Sequence, residues 1–149
     1  MPKWTHLVLV AVAFLLAACQ EPPANPIDIR EQDTCARCKM PIADVRFAAE
    51  LIDKAGAPHK FDDIGCLVNY IKLKHPNRDF RATFVMDYDH KQWLKPDEAF
   101  FVRSEQIRTP MSGGTVAFHD KSRADSIASQ FQGQVLKFDD LFNQKEKTP

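Results

Sequence analysis

The chain has 149 residues, enough for one domain of ordinary size, and 20 basic side chains balance 20 acidic ones. No basic block stands out and aromatics are not interleaved with arginines, so nucleic-acid binding has no support.

Lys3 is the only charge before the apolar run "LVLVAVAFLLAA", Leu7 to Ala18. That run has the length of a secretory h-region and is too short to span a bilayer comfortably. It ends in "LAAC", Leu16 to Cys19. Small residues before a cysteine are the pattern that bacterial lipoprotein processing reads, so residues 1–18 are expected to be a signal peptide and Cys19 the lipidated first residue. A buried apolar helix is the other reading, but the polar, proline-rich "QEPPANP" follows at once. Each buried methylene of an acyl chain contributes about 0.8 kcal/mol, so a multiply acylated cysteine anchors firmly. Gln20 rather than aspartate after the lipid cysteine points to the outer membrane. Residues 19–31 read as an extended linker, 32–143 as the folded domain and 144–149 as a solvated tail. Without residues 1–18 the chain keeps 19 basic and 20 acidic side chains, still near neutrality.

"DTCARCKMPIAD", Asp33 to Asp44, places three sulfur atoms within Cys35 to Met40. A disulfide, a zinc half-site, a redox pair and a grip for a softer metal all fit that spacing. "FAAELI", Phe47 to Ile52, is expected to be a strand, "DKAGAP" a turn, and "HKF" a second strand. Asp63 reads as an N-cap for a helix whose Ile64, Leu67, Val68 and Ile71 share one face. "FRATFVMDY", Phe80 to Tyr88, is the next strand, with Met86 in the core. The order then recurs: a strand over Ala99 to Ser104, the loop "TPMSGG" over Thr109 to Gly114, a strand "TVAF", a cap at Asp120, a helix with Ala124, Ile127, Ala128 and Phe131 on one face, and a closing strand "QVLKF". The fold class is α+β, with two similar ββαβ units, about 45–93 and 97–140, sharing one core.

Lipidation of Cys19 leaves Cys35, Cys38 and Cys66. An odd number fits a structural disulfide framework badly. Cys66 falls in the first helical turn, where outward N–H groups and the helix dipole favour a thiolate, while Asp62 and Asp63 oppose it; a small buried core residue is its plainer reading. Met40 alone would be core filler, but two cysteines lie just upstream. Met111 sits in a proline–glycine loop, a poor place for core and an easy place from which to reach a site. Thiolates and thioethers together select Cu(I) over hard cations. Zinc would take the three cysteines and one histidine, with His59, His90 and His119 as candidates, each more often solvent-facing. A thiol–disulfide oxidoreductase using Cys35 and Cys38 is the rival from another class. Those enzymes place the first cysteine at a helix N-terminus, whereas Pro41 and a strand follow here. Nothing marks the paired histidine and oxyanion site of a cysteine hydrolase, so no enzyme activity is expected.

With these residues in view, the chain resembles the NosL family, the accessory lipoproteins of nitrous oxide reductase. The segments that carry the likeness are "LAAC", "CARCKMPIADVRFAAEL", "FDDIGCLVNYI" and "TPMSGGTVAF", with "VMDYDHKQWLKPDEAFFV" between them. The resemblance implies a periplasmic, outer-membrane-attached metallochaperone of doubled ββαβ fold that binds Cu(I) and serves maturation of the reductase's copper centres. Its partners would be apo nitrous oxide reductase, or another copper-requiring periplasmic protein, and the membrane through the lipid. Cys35, Cys38, Met40, Cys66 and Met111 fall on the family's sulfur positions, and Lys39 stands where the family commonly has glycine.

Overall fold

The computed structural model describes residues 24–30 and 32–143. The apolar run, Gln20 and the expected lipid site Cys19 lie outside the described residues, as does the tail from 144. Among the described residues no helix is long and apolar enough to cross a membrane.

Each half is built around its first strand. In the first, β1 (Ala49–Asp53) pairs antiparallel with β2 (Pro58–Phe61) on one side and with β3 (Phe80–Met86) on the other. The hairpin turn between β1 and β2 is held by the Asp53 carboxylate, which accepts the Ala57 N–H at 2.9 Å, and by Gly56 at φ +88°. A two-residue strand, β4 (Trp93–Leu94), extends the sheet beyond β3. In the second half, β5 (Phe100–Arg103) is flanked by β6 (Thr115–Phe118) and β7 (Gln134–Leu136). The sheet orders β2-β1-β3-β4 and β6-β5-β7 therefore share one arrangement, the repeated ββαβ unit expected from sequence.

The two crossover helices start where aspartates cap them. Asp63 accepts the Gly65 N–H at 2.6 Å ahead of α1 (Ile64–Lys74), and Asp120 accepts the Arg123 N–H at 2.8 Å ahead of α2 (Lys121–Gln130). Ile64, Leu67, Val68 and Ile71 bury one face of α1. They pack with Leu51, Phe61 and Val85 of the first half and with Ala99, Phe101, Ala117 and Leu141 of the second. That single cluster is the shared core. A smaller one gathers Ala124, Ile127 and Ala128 of α2 with Val102, Val116 and Phe118, and Phe47 from the first half joins it. The halves are also stitched by Asp87, which follows β3: its carboxylate accepts the His119 N–H at 2.8 Å, and its backbone bridges Ala117.

Element edges differ from the expectation for local reasons. Phe47 belongs to a short 3-10 turn, Val45–Phe47, because Asp44 takes the Arg46 N–H at 3.1 Å and caps it, so β1 starts at Ala49. The last strand ends at Leu136, where Asp140 accepts the Lys137 N–H at 2.8 Å and draws Phe138–Asn143 into a 3-10 helix. Phe138 leaves the sheet to stack on Phe101, ring centres 5.8 Å apart. Met86 is buried with Ile42 and Ala48, as expected of a core residue.

Part of the segment read as linker lies on the domain. The Ile27 N–H donates to Glu50 at 3.0 Å, and the Lys60 ammonium donates to the Asp28 carbonyl at 2.8 Å and to Asp33 at 2.6 Å. Ile29 packs on the cluster of Ile42, Ala48 and Met86. These residues strap the outer face of the first sheet. Beneath them Glu50 is fully buried, and burial holds its carboxyl above the usual carboxylate range.

Candidate metal centre

The loop that carries Cys35 and Cys38 is closed by its own backbone. Thr34 and Pro41 form a bridge, the Cys35 N–H donates to the Met40 carbonyl at 2.9 Å, and the Lys39 N–H returns to the Cys35 carbonyl at 3.0 Å. The closure requires a left-handed residue, and Lys39 supplies it at φ +65°. Only glycine adopts that region without penalty. Lys39 holds it by donating its ammonium to the Ala36 carbonyl at 2.8 Å. One further bond, from the Ala36 N–H to the Lys60 carbonyl at 2.7 Å, pins the loop to β2.

That pin decides the site, because β2 runs straight into Asp62, Asp63 and α1. Cys66 is the third residue of α1, with its N–H on the Asp63 carbonyl at 3.0 Å. The loop cysteines thus meet the start of α1, and one ligating atom each from Cys35, Cys38, Asp62 and Cys66 lies within 4.8 Å of all the others. All three cysteines are free thiols. Cys35, Cys66 and Asp62 are buried and Cys38 is half-buried, so the cluster meets its surroundings on the Cys38 side. The Cys38 thiol lies 3.4 Å from both oxygens of Asp62.

Charge in this cluster settles on one sulfur. A hydrogen bond from the Cys66 thiol holds Cys35 down to about 4 despite burial, with help from the Cys38 backbone. Cys66 is driven up strongly because it is the donor to Cys35 and is buried. The sequence set the helix N-terminus against Asp62 and Asp63 at Cys66, and in the fold Cys66 stays a thiol. The helix N-terminus favours an anion there, but a neighbouring sulfur 31 positions back takes the charge first. Cys38 is pushed up to about 11 by burial, with repulsion from the Cys35 and Asp62 charges adding to it. Asp62 is raised to about 6, by burial first and then by Cys35. The metal-free, reduced protein is expected to carry one thiolate at neutral pH. Ultraviolet thiolate absorbance should show one step near pH 4, absent in Cys35→Ser, and no second step before about pH 11. A flat trace up to the ordinary thiol range would contradict that assignment.

The other sequence candidates divide. Met111 is placed at the same end of α1 as Cys66. Its N–H donates to Asp63 at 3.1 Å, and its side chain is 41% exposed. Met40 adjoins the cluster through its carbonyl, and its side chain is 56% exposed, so neither thioether is core filler. The histidines are not brought in. His59 is held by Asp53 at 3.1 Å and by the Tyr70 hydroxyl at 3.3 Å; His90 rests on Asp87 at 3.1 Å; His119 is exposed beyond β6. Among the described residues the fourth donor of the cluster is the carboxylate of Asp62, which the sequence reading treated only as an opposing charge. A signal for it existed: "KFDD" has two aspartates at a helix start that needs one cap.

Three comparisons bear on this geometry. A family model described as NosL matches residues 26–145. The crystal structure of the copper chaperone NosL from Shewanella denitrificans superposes with a TM-score of 0.70 at 21% identity, covering 79% of this chain and 96% of that one. At that identity the superposition shows a shared fold. No curated protein sequence matches the chain.

Proposed function

The chain belongs to the NosL family, and from that membership and its sulfur pocket we propose that it is a Cu(I)-binding metallochaperone. The observation that carries the reading is the convergence of Cys35, Cys38 and Cys66 with Asp62 inside 4.8 Å. Three thiols are soft donors that suit monovalent copper, and the exposed thioethers of Met40 and Met111 extend the same preference outward. Copper here is cargo. Capture begins at Cys38 and the methionines, the accessible sulfurs. Loading displaces the protons of Cys38 and Cys66, while Cys35 is already a thiolate. Handover runs in reverse as a client's ligands enter on the Cys38 side and the protein's sulfurs leave one at a time.

The client proposed is apo nitrous oxide reductase, or another periplasmic copper protein. The setting proposed is the periplasmic face of the outer membrane, with Cys19 lipidated. A tether there raises the effective concentration of loaded chaperone at its place of work. The NosL match and the "LAAC" segment support both.

The oxidoreductase reading has less support. Cys35 sits in a turn rather than at a helix start, and it is fully buried, which shields it from an incoming disulfide. Competition of the reduced, anaerobic protein against a Cu(I) chelator tests the proposal. Tight copper retention with weak zinc binding is the expected result. Insulin reduction without copper retention would overturn it.

A further inference from the structure

We infer that Asp63 is a positioning residue that seats the thioether donor of the second half against the thiol cluster of the first. Asp63 is fully buried, and its carboxylate is occupied by two backbone N–H groups and one hydroxyl. One oxygen takes the Gly65 N–H at 2.6 Å and caps the helix of Cys66. The other takes the Thr109 hydroxyl at 2.5 Å and the Met111 N–H at 3.1 Å. A single buried carboxylate therefore joins the start of α1 to a loop 46 positions further along the chain.

The loop is shaped for that one acceptor. Thr109, itself buried, donates to Asp63 and accepts the Gly114 N–H at 3.2 Å, while the Ser112 N–H closes on the Thr109 carbonyl at 2.9 Å. Ser112 and Gly114 both have left-handed backbone, φ +56° and +64°. A side chain at 114 would strike the Ser104 carbonyl, with Cβ only 2.1 Å from it. At Gly113 a Cβ would lie 3.2 Å from the Asp63 carboxylate, so the loop also passes close over Asp63. This much order at an exposed loop carrying a large apolar residue has a physical consequence. It fixes the backbone of Met111 on the carboxylate that caps the helix of Cys66, so a flexible thioether need search only its own rotamers. Hydrogen bonds from three donors keep Asp63 satisfied, although burial raises its carboxyl above the usual range.

The inference rests on Met111 being a copper donor, as proposed above, and the test separates the two. Asparagine at 63 keeps one acceptor oxygen but replaces the other with an N–H₂ that cannot accept from Met111. Thr109→Val removes the hydroxyl at constant shape and leaves the helix cap intact. The full-length chain, labelled with selenomethionine and given one equivalent of Cu(I), reports thioether ligation as Cu–Se scattering. Asp63→Asn and Thr109→Val are each expected to lose the scattering that Met111→Leu loses, and to lower copper affinity about tenfold, ~1.4 kcal/mol. Thr109→Ser should restore both, and Thr109→Val combined with Met111→Leu should lose no more than either alone. A merely structural role would make those losses multiply, and would overturn the inference. So would unchanged scattering and affinity in Thr109→Val. If Met111→Leu itself changes neither, the donor assignment fails first and takes the inference with it.

Discussion

Cys35→Ala is expected to lower Cu(I) affinity at least about a hundredfold, taking the ~10–16 kcal/mol of structural zinc in zinc-finger peptides as the scale and removing one of four ligands' share, ~3 kcal/mol. Cys35 should matter most among the sulfurs because it is the one already charged in the metal-free protein. Without it the cluster loses the sulfur that the Cys66 hydrogen bond holds as a thiolate. The fold should survive: Cys35 is buried but small, and the loop around it is held by backbone bonds from Cys35, Lys39 and Ala36 that alanine preserves. Destabilisation of about 1 kcal/mol is the ordinary scale for such a change. Chelator competition gives the affinity and thermal unfolding gives the control. A folded Cys35→Ala protein that holds copper as tightly as the parent would mean that the cluster is not where copper sits.

Phe101→Ala should cost about 3–5 kcal/mol of folding stability, the range for truncating a buried phenylalanine. Phe101 is fully buried at the centre of β5, stacks on Phe138 and belongs to the cluster that contains Leu51, Phe61 and the α1 face. The informative part is where the loss is felt. With one core spanning both halves, β1 amides should lose hydrogen-exchange protection by the same free energy as β5 amides, in one cooperative transition. Copper affinity should weaken as well, because Cys35 and Cys66 are members of that same cluster. Loss of protection confined to β5, β6 and β7 would show two independent halves instead.

The helices were legible in sequence because two signals agreed at each: an aspartate at the start and apolar residues at helical spacing. Both caps and both buried faces are found where those signals lie, except that Phe131 falls just past α2 as its C-cap and is only half-buried. Strand edges were less legible. Nothing in "FAAELI" tells that Phe47 is withdrawn by a cap on Asp44, or in "QVLKF" that Asp140 turns Phe138 away from the sheet. Trp93 and Leu94 form a strand too short to show alternation. The meeting of Cys35, Cys38 and Cys66 was legible as chemistry, since three thiols fit a disulfide framework badly and thiols with thioethers suit a soft metal. Asp62 was not, because its arrival depends on the pin between Ala36 and Lys60, a long-range backbone bond with no side-chain signature. The same blindness kept His59 among the candidates, although β2 turns its ring toward Asp53 and Tyr70.

The strap over the first sheet has a consequence for how the domain would sit above a bilayer. Ile27 is fixed to Glu50, so an acylated Cys19 would leave a leash of only eight residue steps, at most about 28 Å when fully drawn out. Such a leash is no longer than a small domain is wide. The face bearing Glu50 and Lys60 would then be kept close to the headgroups, and rotation would be restricted rather than free. A client would have to approach from a limited set of directions, and lengthening the leash with glycine and serine should relax that restriction without touching a single copper ligand.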